Sequence, residues 1–161
     1  MEPNIIAVGI GELKFCDTPG AVLISYSLGS CIGLTAYDPA KRLGAMAHIL
    51  LPRGTPVRGD EGKCANTCVP AIIDGMMKRG SRKAGIVVKM AGGAKILALA
   101  GTPNGICIGQ QNQAAVTQEL ERLGLRTAAA DCGGDFGRTV RLFLDSGVVE
   151  IVTATRGQWT I

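Results

Sequence analysis

The chain has 161 residues, 47% of them apolar and 19% charged, which suits a compact fold able to bury a core and excludes a disordered or low-complexity protein. Aromatic residues make up only 4%, so Ala, Val, Ile and Leu must fill the core, and few rings remain to stack unpaired bases, which weighs against a nucleic-acid reader. The formal charge of +4 suits an acidic protein partner, though solubility alone accounts for it equally well.

No internal repeat and no linker divides residues 1–161, which are read as one domain. Met1-Glu2-Pro3-Asn4 carries no basic n-region and no apolar h-region follows it, so the six cysteines are expected to be reduced thiols of a cytoplasmic protein rather than three disulfides. Lys89 and Lys95 interrupt the longest apolar region, and no direct insertion into a membrane is expected.

In chain order, residues 5–8 form a short apolar run that can start a sheet, and residues 12–20 are mixed, with a Pro-Gly turn signal. An apolar strand over 21–24 leads into Ser25-Tyr26-Ser27-Leu28-Gly29-Ser30-Cys31, and a second strand leaves it over 32–37. Residues 38–42 (Asp-Pro-Ala-Lys-Arg) read as a hairpin turn into a third strand carrying His48, which would set Cys31 and His48 on neighbouring antiparallel strands. Residues 53–63 form a polar, glycine-rich loop, expected to be a flap or a substrate-facing loop.

A helix follows, with Cys68/Val69, Ile72/Ile73 and Met76/Met77 recurring every four residues. Asn66 or Thr67 would cap it, Pro70 would sit in its first turn, and Gly80 would end it; the basic run 78–83 reads as a solvated helix end. Residues 84–90 read as a buried strand, 91–94 as a tight turn, 95–100 as an apolar run of open type, 101–105 as a loop and 106–108 as a short strand. A second helix would be capped by Asn112, face Val116, Leu120 and Leu123 inward, and end at Gly124. The tail alternates strand and turn, with strands at 125–130, 140–144 and 148–155. Hairpins with two helices imply an α+β fold: a mixed, largely antiparallel β-sheet core flanked by helices.

A cysteine between two glycines at a backbone bend offers a nucleophile with main-chain N–H groups nearby, and a thiol needs a base to react at neutral pH, since free Cys has a pKa of about 8.5. His48 is the only histidine, so any Cys–His pair must use it. Ser25 and Ser27 are available to orient the imidazole, and the N–H groups around Gly29, Ser30 and Cys31 are candidates for an oxyanion hole. The residues by themselves leave open a buried thiol beside a core histidine that is satisfied by a backbone carbonyl.

Ser25-x-x-Leu28-Gly29-Ser30-Cys31, Tyr37-Asp38-Pro39 and Gly44-Ala45-Met46-Ala47-His48-x-Leu50-Leu51-Pro52 resemble the CheD family of chemoreceptor glutamine deamidases. The resemblance runs on through Gly92-Gly93-Ala94, Ile108-Gly109-x-x-Asn112 and Asp131-x-Gly133-Gly134-x-x-Gly137-Arg138. It implies a cysteine hydrolase fold in which Cys31 is the nucleophile, His48 the general base and acid, and Ser25 the third catalytic residue, at a position where the family has threonine. It also implies Gln111 in place of a family arginine, a protein substrate in the cytoplasmic helical region of chemoreceptors, and no metal or cofactor. A methylesterase side activity on the same receptors would use the same thiol. The alternative it carries is an adaptor that binds and regulates a CheC-type chemotaxis phosphatase. The chain is expected to be a monomer.

Three other chemistries fit poorly. Gly-Ser-Cys-Ile-Gly mimics the nucleophile elbow of α/β-hydrolases, but only Asp38 stands between nucleophile and His48, in a chain too short for that fold. Cys64 and Cys68 could face one way on a helix, but no second ligand pair completes a zinc site. The glycine pairs 92–93 and 133–134 lack the Gly-x-x-x-x-Gly-Lys-Ser/Thr pattern of a phosphate loop and read as turns that flank the site.

Overall fold

A computed structural model describes residues 2–96 and 107–161. The expectations for residues 97–106 (the end of the apolar run, the loop at 101–105 and the start of the short strand) lie outside the described residues. The strands are β1 (Asn4–Ala7), β2 (Leu13–Cys16), β3 (Ala21–Leu28), β4 (Ile32–Asp38), β5 (Leu43–Ile49), β6 (Val87–Gly92), β7 (Thr127–Cys132), β8 (Arg138–Phe143), β9 (Val149–Val152) and β10 (Gln158–Thr160). The helices are α1 (Ala65–Lys78) and α2 (Ile108–Arg122), with a 3-10 turn at Lys83–Gly85. No helix among the described residues is long and apolar enough to cross a membrane.

The strands form two five-stranded sheets, β1-β3-β8-β9-β10 and β2-β5-β4-β6-β7. Each is mixed. Only the pairings of β1 with β3 and of β6 with β7 are parallel; the others are antiparallel. The sequence reading of an α+β fold holds, with two stacked sheets in the place of one core sheet. Strand periodicity identifies strands but carries no record of which sheet each one joins.

The second sheet is the middle layer. Every residue of β4 and β5 is buried, because both faces of these strands are covered. Ile32, Leu34 and Ala36 of β4, with Leu43, Ala45, Ala47 and Ile49 of β5, pack against Val69, Ile72 and Met76 of α1 and Val116 and Leu120 of α2. The opposite face, with Cys31, Tyr37 and Met46, packs against Leu23, Val140, Leu142 and Leu144 of the first sheet and its following turn. Gly44 permits this approach, since a Cβ there would come within 2.3 Å of a Leu144 methyl. The inter-sheet layer is where the candidate site lies.

The hairpin at 38–42 forms as expected, with the Asp38 carboxylate accepting from the Ala40 and Lys41 N–H groups at 2.9 and 3.3 Å. Gly80 and Gly124 stand just past the two helices with φ of 97° and 72°, the left-handed conformation that ends a helix at glycine. Other local expectations need correction. Cys64, not Asn66 or Thr67, precedes α1, and neither it nor Cys107 before α2 makes a side-chain cap. Pro70 lies past the first turn, inside α1. Ile108 opens α2 rather than closing a strand, and Asn112, expected as its cap, sits within the helix. Tertiary partners absorb the side chains that would have capped: Asn66 exchanges two hydrogen bonds with the Gly54 backbone, at 3.0 and 3.2 Å. The tail strands differ from their expected bounds by up to three residues, β9 ending at Val152 rather than at 155, and β2 and β10, unseen in the sequence, form as edge strands on β5 and β9.

Candidate active site

β3 ends in a bulge between Ser25 and Leu28, where Ser27 takes a φ of 50°. The chain then turns through Gly29 and Ser30 and enters β4. Ile32 pairs with Ile49 and Gly33 with His48. Side chains alternate along a strand, so Cys31 shares a face with Gly33, and His48, directly across from Gly33, stands diagonal to Cys31 on that same inter-sheet face. Both side chains are buried, at 8% and 4% exposure. Gly33 leaves the diagonal open; a Cβ there would meet Leu28 Cδ1 at 2.8 Å.

The imidazole is held from behind by a backbone group. His48 Nδ1 lies 3.4 Å from the Val8 carbonyl oxygen, just past the end of β1. A carbonyl only accepts, so the proton resides on Nδ1 and Nε2 keeps its lone pair. Ser25 Oγ reaches the same carbonyl at 3.0 Å and Met46 Sδ at 3.3 Å. Ser25 is therefore linked to His48 through Val8 rather than by direct contact. Ser27 is exposed, its N–H donates to Thr139 Oγ1 at 3.2 Å, and its hydroxyl makes no hydrogen bond to the imidazole among the described residues. Val8 was invisible as a candidate because a main-chain carbonyl carries no residue-type signal.

The His48 strand is also fixed along its outer edge. Its N–H donates to the Glu12 carbonyl at 3.0 Å and its C=O accepts from Gly11 N–H at 2.9 Å. Burial pushes the His48 imidazole below its ordinary value, against smaller opposing effects from the Val8 carbonyl and the Glu12 carboxylate. Burial likewise pushes the Cys31 thiol up. Both shifts favour the uncharged forms of the thiol and the imidazole.

The bend carrying Cys31 is enclosed by residues 92–95. Gly93 N–H donates to the Cys31 carbonyl and Ala94 N–H to the Gly29 carbonyl, each at 2.9 Å. Behind them the 133–134 turn closes in, with Gly133 N–H on the Gly92 carbonyl at 2.9 Å and Lys95 N–H on the Gly134 carbonyl at 2.8 Å. The two glycine pairs thus flank the site, as expected. Ser30 and Cys31 N–H groups have no acceptor among the described residues, so they are available to an incoming oxygen. Asn112 Nδ2 donates to the Ser30 and Leu50 carbonyls, both at 3.0 Å.

The loop after β5 is tied at its far end: Lys63 O accepts from Leu50 and Leu51 N–H at 2.9 and 3.0 Å, and Gly62 N–H donates to Gly11 O at 2.9 Å. Residues 53–59 are exposed. Cys64 and Cys68 are both buried, and desolvation pushes the Cys68 thiol up to about 12, as expected of a small packing residue. Among the described residues no three metal-ligating side chains gather.

Comparison with known proteins agrees across the chain. Residues 50–153 match the family model described as CheD chemotactic sensory transduction. A protein of Symbiobacterium thermophilum named probable chemoreceptor glutamine deamidase CheD is 44% identical over 155 residues, covering 94% of each chain. Proteins of the same name from Syntrophotalea carbinolica and Methanococcus maripaludis are 38% and 36% identical, covering 97% and 94% of this chain and 98% and 96% of theirs. A crystal structure of the Bacillus licheniformis hypothetical protein YfiH aligns over 77% of this chain and 50% of that one, at 14% identity and a TM-score of 0.45.

Proposed function

This chain belongs to the CheD family, and we propose that it is a protein-glutamine deamidase that converts glutamines of chemoreceptors to glutamate. The names of its relatives support the activity and the substrate class. The observation that carries the chemistry is the register of β4 on β5, with the single histidine diagonal to Cys31 on one buried face.

In this reading His48 Nε2 takes the thiol proton as Cys31 Sγ bonds to the carboxamide carbon of the substrate side chain. The C=O electron pair moves onto oxygen, where the Ser30 and Cys31 N–H groups, beside Gly29, receive it. Collapse breaks the C–N bond, and the imidazolium gives its proton to the departing ammonia, leaving a thioester. Water then attacks the thioester carbon, losing a proton to Nε2; the C–S bond breaks, and the thiolate is reprotonated from the imidazolium. Val8 and Ser25 act on the far side of the ring, holding Nδ1 protonated so that Nε2 stays a base throughout.

The site of action is the cytoplasm, where the helical region of the receptors is exposed. The test is mass spectrometry of a receptor cytoplasmic fragment incubated with the protein or its Cys31→Ala variant. Conversion of particular glutamines by the parent protein alone is the expected result. No conversion by either, across several folded receptor fragments, would refute the reading and leave the phosphatase-binding adaptor to be tested by pull-down.

A further inference from the structure

The backbone ladder between β4 and β5 stops at the Ile32–Ile49 pair. Past it the strand ends separate. Leu50 and Leu51 turn their N–H groups to Lys63 O, while the other chain enters the Ser30 bend. At this opening α2 contributes one side chain, Asn112, whose amide nitrogen spans the gap: one N–H on the carbonyl of Ser30, immediately before Cys31, the other on the carbonyl of Leu50, two residues after His48. One turn earlier on the same face, Gly109 abuts the backbone of Gly93 and Ala94, the two residues that hydrogen-bond the carbonyls of Cys31 and Gly29. The first turns of α2 therefore touch both sides of the bend.

Packing alone does not account for an asparagine here. The residue is fully buried within a helix, where Asn is a poor former. Among the described residues its Oδ1 is buried with no hydrogen-bond partner, an arrangement that costs free energy and calls for a reason. Leucine would fill a similar volume without an orphaned oxygen. What leucine lacks is the pair of donors, and both donors go to the backbone segments that carry the thiol and the imidazole.

We propose that Asn112 is the positioning residue of the Cys31–His48 pair, its amide nitrogen replacing the missing backbone rungs and fixing the separation of the two strand ends. This rests on the deamidase reading for its catalytic consequence, though not for its geometric one. Misplacement of reacting groups by about 1 Å can cost on the order of 10²-fold in rate.

The experiment pairs two readouts on the full chain. Deamidation of a receptor fragment gives kcat and KM. Iodoacetamide alkylation of Cys31, followed at its own peptide by mass spectrometry against pH, reports whether His48 assists the thiol. Asn112→Leu is expected to lower kcat by roughly 10²-fold with KM within about threefold. Its Cys31 alkylation rate at pH 7 is expected to fall to that of His48→Ala, with no further fall in the double variant, because both act through one pair. Additive losses in the double variant, or parent-like kcat and alkylation in Asn112→Leu, would overturn the proposal. If Asn112→Leu does not fold, Asn112→Asp, equal in shape but without the donors, carries the same readings, and failure of both to fold would assign the residue to stability and overturn it too. A parent protein that deamidates nothing would refute the function, while the alkylation cycle would still decide Asn112.

Discussion

Gly109→Ala tests whether α2 sets the shape of the reactive bend. A Cβ at position 109 would lie 2.5 Å from Gly93 O and 2.7 Å from Ala94 O. These are backbone atoms that cannot rotate aside, and ordinary contact begins near 3.4 Å, so helix and bend must part by roughly 0.9 Å. If residues 93–94 yield, the 2.9 Å hydrogen bonds from their N–H groups to the Cys31 and Gly29 carbonyls stretch beyond bonding distance. If the helix yields, the two Asn112 bonds to Ser30 and Leu50 are lost instead. Either way the overpacking costs about 1–3 kcal/mol, and the displaced thiol lowers kcat by about 10²-fold. Urea denaturation and receptor-fragment deamidation measure the two effects. Gly85→Ala is the control, because a Cβ there meets nothing within 4 Å and the backbone is not left-handed; it should stay within about 0.5 kcal/mol of the parent. A Gly109→Ala protein with parent stability and parent kcat would show that the helix can back away without cost, and the argument from close approach would fail.

Ser25→Ala removes a hydroxyl bonded to Val8 O and Met46 Sδ, and should cost about 1 kcal/mol of stability and up to about tenfold in kcat, with Ser25→Thr retaining activity; unchanged kcat in Ser25→Ala would separate Ser25 from the imidazole. Burial holds the His48 imidazole below its ordinary value of about 6.5, so the unfolded chain binds the proton more readily, and this group's stabilising contribution is present above that value and lost as pH falls towards the folded-state pKa. A His48→Gln variant should lose that part of the acid sensitivity in urea titrations. The acid limb of the parent's kcat/KM should turn below the ordinary histidine range, and a limb at or above it would contradict the buried, neutral base. Arg138 is buried and pairs with Asp131 at 2.8 Å, while Trp159 Nε1 donates to the other carboxylate oxygen. Arg138→Met strands that carboxylate and should cost up to about 3 kcal/mol, less than for a fully buried pair because Asp131 is partly exposed. Thermal denaturation with Asp131→Asn added should recover part of the loss.

The sequence by itself determined the local pieces and the chemical cast. One histidine in the chain leaves no choice of imidazole, and glycines two residues either side of Cys31 mark the bend. The 38–42 turn makes neighbours of the strands that carry the pair, and Gly80 and Gly124 end the helices where four-residue periodicity stops. Each of these is a short-range property, in which a residue's type and spacing fix its conformation. Only the tertiary structure decided that β1, β3, β8, β9 and β10 leave the central sheet to form a second layer, since strand alternation does not say which edge a strand will join. The same structure brought the Val8 carbonyl behind His48, an acceptor that every residue type offers alike. It also drew Asn66 and Asn112 away from the helix caps their type favours: at α1 the carbonyls of Leu51 and Pro52 already accept from the first N–H groups, Ala65 and Asn66, and Asn112 instead serves the carbonyls of Ser30 and Leu50 across the fold.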